Sequence, residues 1–341
     1  MAKLGVALLG LDHWYAAFHL APAIAGSERV RLVAVAHDDA AKAQQVAQAN
    51  GAELWTTDAR AALERHDVDI VVALYSTDRN VAICEQAAAL GKHIVSVKPM
   101  ALDLAGADRI VQAVRAAGVH FFPLDSSWRL RADAQQIKRW IAEGRIGQPL
   151  RYLQTLNSSL PLDWPGGQEA SWWIDPARVP GGAWIDHAIY AVDMMRWLLD
   201  SEPIAVSGTI GNQRHTHLQL EDYGLATYTL ANGATAVIED TWTADRGFGY
   251  SRSEILGSAG AVVDDTSTWG RIGLRGNFGF DGWISVRQIG ERSQPLNAVD
   301  HLAACVRGEQ SPIATVADGR ANLAACLAFY QAARTGASVR L

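Results

Sequence analysis

The chain is short of cysteine. Its 341 residues hold three, Cys84, Cys305 and Cys326, far apart and with no C-x-x-C pair. That spacing excludes a disulfide framework or a dithiol redox centre. Each lies in an apolar stretch of helical character, so buried, inert thiols and a reducing compartment are expected. Long apolar runs are missing as well. Leu4 to Leu11 is too short to span a bilayer, and no small-residue cleavage site follows it. A membrane role is therefore not expected, and a cytoplasmic location is. Nor is there an excess of positive charge. The net charge of −6, with no run of like charges, argues against nucleic-acid binding.

What the chain does have is alternation. Strand patterns at Leu4–Leu9, Arg31–Ala36, Asp69–Leu74, His93–Val97 and Val119–Pro123 are separated by helical patterns. The strands are almost continuously apolar, which predicts a parallel sheet covered on both faces. Right-handed crossovers make this an N-terminal Rossmann-type, doubly wound sheet over residues 1–123. Residues 124–341 are expected to form an α+β domain with a large, mostly antiparallel sheet that carries the substrate pocket. Asn232-Gly233 and Gly257–Gly260 are its hairpin turns, and the C-terminal helix is expected to pack back on the first domain.

A doubly wound sheet binds ligands at the carboxyl ends of its strands. The first such turn, Gly10-Leu11-Asp12-His13-Trp14-Tyr15, keeps one glycine of the G-x-G-x-x-G dinucleotide fingerprint. Asp12 stands where a backbone would approach a pyrophosphate, and Tyr15 is expected to hold the helix off the strand. Asp12 is also a candidate cap for that helix. NAD is the expected cofactor, bound in a modified way, with NADP the alternative. His37 and Asp38 end the second strand, and an acidic residue there reads a ribose hydroxyl. Asp38 or Asp39 capping the next helix is the competing reading.

Gly91-Lys92-His93-Ile94-Val95-Ser96-Val97-Lys98-Pro99-Met100-Ala101 resembles the G-K-H-V-x-x-E-K-P-L-A signature of the glucose-fructose oxidoreductase / inositol dehydrogenase / rhizopine-catabolism (Gfo/Idh/MocA) family. Trp172-Trp173-Ile174-Asp175-Pro176, followed by Gly181 to Asp193, is similar to the family's W-R-x-D-P…G-G-x-L-x-D-x-G-x-H-x-x-D. Asp300-His301-Leu302 and Asp318-Gly319 fit its tail. The chain departs from the pattern at Val97 for glutamate, Asn80 for histidine, Trp173 for a basic residue, Ala188 for glycine and Tyr190 for histidine. The resemblance implies a nicotinamide-dependent oxidoreductase of sugars, polyols or related cyclic alcohols, assembled as a homodimer or homotetramer. It implies a cofactor site of Gly10, Asp12, His13, Trp14, His37, Asp38, Tyr75, Ser76, Asn80, Lys98 and Pro99.

Asp186, Tyr190 and Asp193 are spaced i, i+4, i+7 and share a helix face. The competing reading is a solvated face. With Lys98 they offer what carbinol oxidation needs, a group to take the hydroxyl proton beside a hydride acceptor. Lys98, Asp186 and Tyr190 are the expected catalytic residues, either with Lys98 favouring a tyrosine phenolate or with Lys98 as the immediate proton donor and Tyr190 orienting the substrate. Trp128, Trp172, Trp173, Asp186 and His187 are the expected substrate contacts, because ring faces stack on sugar C–H faces. His215-Thr216-His217, read as a strand beside Glu221 or Asp222, is a weak zinc pattern, and no metal is expected. Two other classes compete: a lyase or hydrolase with a degenerate cofactor site, and a non-catalytic ligand sensor.

Overall fold

The computed structural model describes residues 2–167, 171–265, 271–280, 282–287 and 295–341. The N-terminal half runs β1 Leu4–Leu9, α1 Trp14–Gly26, β2 Val30–Ala36, α2 Ala40–Ala49, β3 Leu54–Thr56, α3 Ala59–Leu63, β4 Ile70–Ala73, α4 Thr77–Ala89, β5 His93–Ser96, α5 Leu104–Ala117 and β6 Phe121–Pro123. The six strands form one sheet in the order β3-β2-β1-β4-β5-β6, and every pairing is parallel. Strand order reverses at β1, so a crevice opens between the carboxyl ends of β1 and β4. Gly10 makes it possible. Its φ is +87°, and a Cβ there would lie 2.4 Å from the Tyr75 backbone nitrogen.

The chain continues through α6 Ala132–Ala142, β7 Pro149–Asn157, α7 Ala183–Leu199, β8 Pro203–Gly211, β9 Tyr223–Leu230, β10 Thr235–Thr241, β11 Tyr250–Gly257, β12 Ala261–Asp265, β13 Arg271–Arg275, β14 Ile284–Arg287, α8 Pro295–Val306, α9 Val316–Thr335 and β15 Val339–Arg340. These strands form a second sheet, ordered β14-β13-β12-β11-β7-β10-β9-β8-β15. It is antiparallel except for β7 against β10, a parallel pair that joins distant parts of the chain. The Asn232-Gly233 turn closes the β9–β10 hairpin as expected. Along β9 buried and partly open positions alternate, the period that puts one face on a core.

That face packs on α7. Gly182 opens the helix where the chain passes close to Glu221, whose carbonyl oxygen would lie 2.1 Å from a Cβ at this position. The Glu221 carboxylate accepts from the Gly182 N–H at 2.8 Å and from the Tyr330 hydroxyl at 2.6 Å. The start of α7 is thus fixed between β9 and α9. In turn α9 packs against β6 and α5 on one side and β8 and α7 on the other.

A buried polar network lies below this junction. Arg129 holds the Asp193 carboxylate through Nε at 2.8 Å and Nη2 at 2.6 Å. Ser126 donates to Asp193 at 2.7 Å, and Asn322 bridges Asp193 and Asp125 at 2.8 and 2.7 Å. Asp193 is 0 % exposed, so the solvated-face reading of the stripe on α7 does not hold.

Candidate active site

Lys98 follows β5 and is 1 % exposed. Its ammonium lies 2.5 Å from Asp186 Oδ1 and also donates to the Asp186 main-chain carbonyl. The other carboxylate oxygen accepts from the Trp242 indole N–H at 3.1 Å. Burial pushes the Asp186 carboxyl up, but the neighbouring His187 ring and the Lys98 ammonium outweigh it and hold the group below its ordinary value. Asp240, buried beside it on β10, has neither carboxylate oxygen bonded among the described residues. Burial and the Asp186 charge push its carboxyl well up, toward the neutral form.

Above the ion pair is a cavity of about 260 Å³ whose walls include Trp14, Tyr15, Leu160, His187, Tyr190 and Arg246. The Tyr190 ring stacks on Trp128 with centroids 5.1 Å apart. The Lys98 ammonium lies over the ring, 5.3 Å from its centroid. The expected phenolate is not supported. Burial, Asp186 and Asp125 all push the Tyr190 hydroxyl up, and the ammonium lies over the ring face.

Trp172 and Trp173 stack on each other, 4.8 Å between centroids, behind the lysine instead of facing the open cavity. Trp173 carries the Lys98 ammonium at 4.5 Å, and Trp172 packs on the buried His13 ring. As substrate contacts the two are corrected to a supporting wall. Trp14 and Tyr15 provide the aromatic surface in their place. Tyr15 does not wedge α1 away from the sheet: its side chain turns into the cavity and its hydroxyl meets His13 Nδ1 at 2.7 Å.

The crevice at β1 and β4 departs from the sequence reading at two residues. Asp12 does not cap α1, whose first turn is preceded by His13 with no side-chain cap. It accepts from the Ser76 N–H at 2.7 Å and faces Arg178 at 3.7 Å. Arg178, which no motif marked, donates to Ser76 Oγ at 2.7 Å and lies 3.6 Å from Asp78. Asn80 is not at the crevice surface. It is fully buried and donates to Ser96 Oγ and the Met100 carbonyl, bracing the turn that carries Lys98 and Pro99. His37 accepts from the Leu11 N–H at 3.3 Å and so supports the Gly10 turn. Asp38 pairs with Arg79, whose guanidinium stacks 3.8 Å from the Tyr75 ring centroid, while Asp39 caps α2. The zinc pattern fails locally. His215 and His217 lie in a turn, Asp222 accepts from the backbone of Gln213, Arg214 and His215, and Glu221 is bound as described.

The two sheets, one doubly wound and one mostly antiparallel, make this a two-sheet α/β protein, and the buried lysine–carboxylate pair between them is the candidate site. Comparison with known proteins narrows the class. Residues 4–124 match the oxidoreductase family with an NAD-binding Rossmann fold, and residues 134–263 match the GFO/IDH/MocA C-terminal domain. The chain belongs to the GFO/IDH/MocA oxidoreductase family. It is 27 % identical to scyllo-inositol 2-dehydrogenase (NAD(+)) of Bacillus subtilis, over 100 % of this chain and 95 % of that protein. It is 31 % identical to inositol 2-dehydrogenase of Rhizobium meliloti, over 76 % of this chain and 73 % of the relative. Among solved structures, aldose-aldose oxidoreductase from Caulobacter crescentus complexed with glycerol superposes with a TM-score of 0.87 at 24 % identity, covering all of both chains.

The residues present fit the dinucleotide that the family implies. His13 Nε2, the Tyr75 hydroxyl and Thr77 Oγ1, at the ends of β1 and β4, are buried without a partner among the described residues. Buried polar groups normally have partners, so this crevice suits a polar ligand.

Proposed function

We propose that the protein is an NAD-dependent dehydrogenase or reductase acting on a cyclic polyol, sugar or related ketone, with NADP as the alternative cofactor. The Lys98–Asp186 pair on the floor of an aromatic-walled cavity carries this reading. When bound, the nicotinamide supplies hydride acceptance or donation. His13, Tyr75, Ser76, Thr77 and Arg178 line its crevice, and Asp38 at the end of β2 meets the ribose. Lys98 has three N–H donors, of which two go to Asp186. The third remains for the substrate oxygen, where a fixed positive charge favours a developing alkoxide. Asp186 keeps the ammonium in place. Trp14, Tyr15 and Tyr190 offer ring faces to the C–H faces of a sugar ring.

A homodimer or homotetramer formed through the open face of the nine-stranded sheet belongs to the same reading, as does a cytoplasmic location. The division at about residue 123 into cofactor and substrate domains does too.

The test is turnover of inositols and aldoses with NAD and NADP, beside NADH and NADPH binding followed by nicotinamide fluorescence. Lys98→Met is expected to lower kcat about a thousandfold. Binding of neither reduced nucleotide would end this reading and leave the lyase, hydrolase and sensor classes.

A further inference from the structure

We propose that His187 is the proton acceptor in alcohol oxidation at this site, a role for which the sequence pattern offers Lys98 or Tyr190. The inference rests on the dehydrogenase reading and adds the residue that moves the proton.

His187 lies beside Asp186 on α7, and its ring lines the cavity with about a third of the side chain open, 33 %. Three groups face its Nδ1 from three elements. Asp186 Oδ2 is 3.4 Å away on the same helix, Ser158 Oγ is 3.4 Å away just past β7, and Asp240 Oδ1 is 3.9 Å away on β10. The Lys98 ammonium, from the turn after β5, is bound to the same carboxylate, and the Arg246 guanidinium is a further charge on the wall of the same cavity. Nε2 has no partner among the described residues.

This arrangement selects one tautomer. Ser158 Oγ donates to the Thr241 carbonyl at 3.2 Å and so accepts from His187 Nδ1–H, the ionised Asp186 beside it favours the proton there, and the lone pair is then on Nε2. Asp240 Oδ1, at 3.9 Å, is beyond hydrogen-bond reach of Nδ1, and burial pushes its carboxyl toward the neutral form. The ring itself is neutral. Burial lowers its pKa, Asp186 opposes this and Lys98 adds to it. A neutral imidazole with a fixed tautomer, open to the cavity, is a competent general base. Tyr190 lacks these properties, because its surroundings keep the phenol protonated.

The step balances. The hydroxyl proton of the substrate passes to His187 Nε2. The carbinol carbon gives up its hydrogen with two electrons to the oxidised dinucleotide, and a carbonyl remains. The imidazolium, stabilised by Asp186, then releases its proton to water. In the reducing direction the same imidazolium is the acid.

The experiment is a set of kcat and kcat/KM pH profiles for wild type, His187→Gln and His187→Ala with NAD and whichever polyol or aldose the wild type turns over. His187→Gln is expected to lower kcat about a hundredfold without changing NADH affinity. The acid limb of the wild-type profile, where protonation of His187 stops oxidation, is expected to vanish in both variants. Added imidazole is expected to restore part of the turnover of His187→Ala, which a purely structural role would not permit. Turnover within threefold of wild type with the acid limb intact would overturn the proposal. So would His187→Ala that stays folded and binds NADH but gains nothing from imidazole. A wild type that binds NADH yet oxidises no alcohol and reduces no ketone would overturn the dehydrogenase reading itself, and this one with it.

Discussion

Arg178 donates to the Ser76 hydroxyl at 2.7 Å, bringing a guanidinium from the segment after Trp172–Ile174 to the start of α4. It also faces Asp12, which stands at the second glycine position of the fingerprint. A cation at a helix N-terminus in the switch-point crevice suits a pyrophosphate. It also offsets the carboxylate that replaced the glycine. Arg178→Gln is expected to weaken NADH binding about tenfold, the loss of one charge-assisted contact. Fluorescence titration at two salt concentrations checks this. Tighter binding in the variant would mean that Arg178 closes the crevice against the nucleotide.

Asp125 is the site's pH-sensitive support. Burial, with Asp193 beside it, pushes its carboxyl to about 7, against the pull of the Asn322 amide. Below pH 4 the group is protonated in both folded and unfolded chains and contributes no pH dependence. Between about 4 and 7 the unfolded chain gives up this proton and the folded one keeps it, so stability falls as pH rises, and it levels off above 7. Asp125→Asn mimics the neutral carboxyl. Its Tm is expected to match wild type near pH 4 and to exceed it at pH 8. A constant Tm difference across that range would show that Asp125 is ionised in the folded protein.

Gly10 is a structural requirement of the crevice before it is a cofactor residue. Gly10→Ala places a Cβ against the Tyr75 backbone at a φ of +87°. A loss of about 3 kcal/mol in stability is expected, from strain plus parting of β1 and β4. Urea unfolding measures it. An unchanged midpoint would show that the two strand ends can separate without cost.

Much of the first sheet was legible because its strands are continuous apolar runs bounded by turns. β3 was missed: it has three residues, and Trp55 in its middle is exposed, so no apolar run marks it. The parallel pairing of β7 with β10 carries no local signal, since hairpin turns report only neighbours in sequence. Lys98 and Asp186 were legible as motif positions. Spacing alone did not separate Asp186 from Asp193, seven residues on along one face. What divides them is their partners, Lys98 for one and Arg129 for the other, supplied by distant parts of the chain. The phenolate expectation failed for a related reason. Proximity of lysine to tyrosine was anticipated, but whether an ammonium meets the ring or the hydroxyl depends on rotamers set by Trp128 and Trp173. Arg178 has no motif, and only the fold brings it to Ser76.

The Lys98–Asp186 pair also constrains how this site can change over generations. Removing one partner strands a buried charge, at a cost of about 3–5 kcal/mol. A lineage that no longer needed the chemistry would be penalised for losing the lysine alone, and equally for losing the aspartate alone. Only a coordinated double replacement escapes the penalty. The pair is therefore expected to outlast the activity it serves, and its presence in a relative is weaker testimony to catalysis than an open His187 would be.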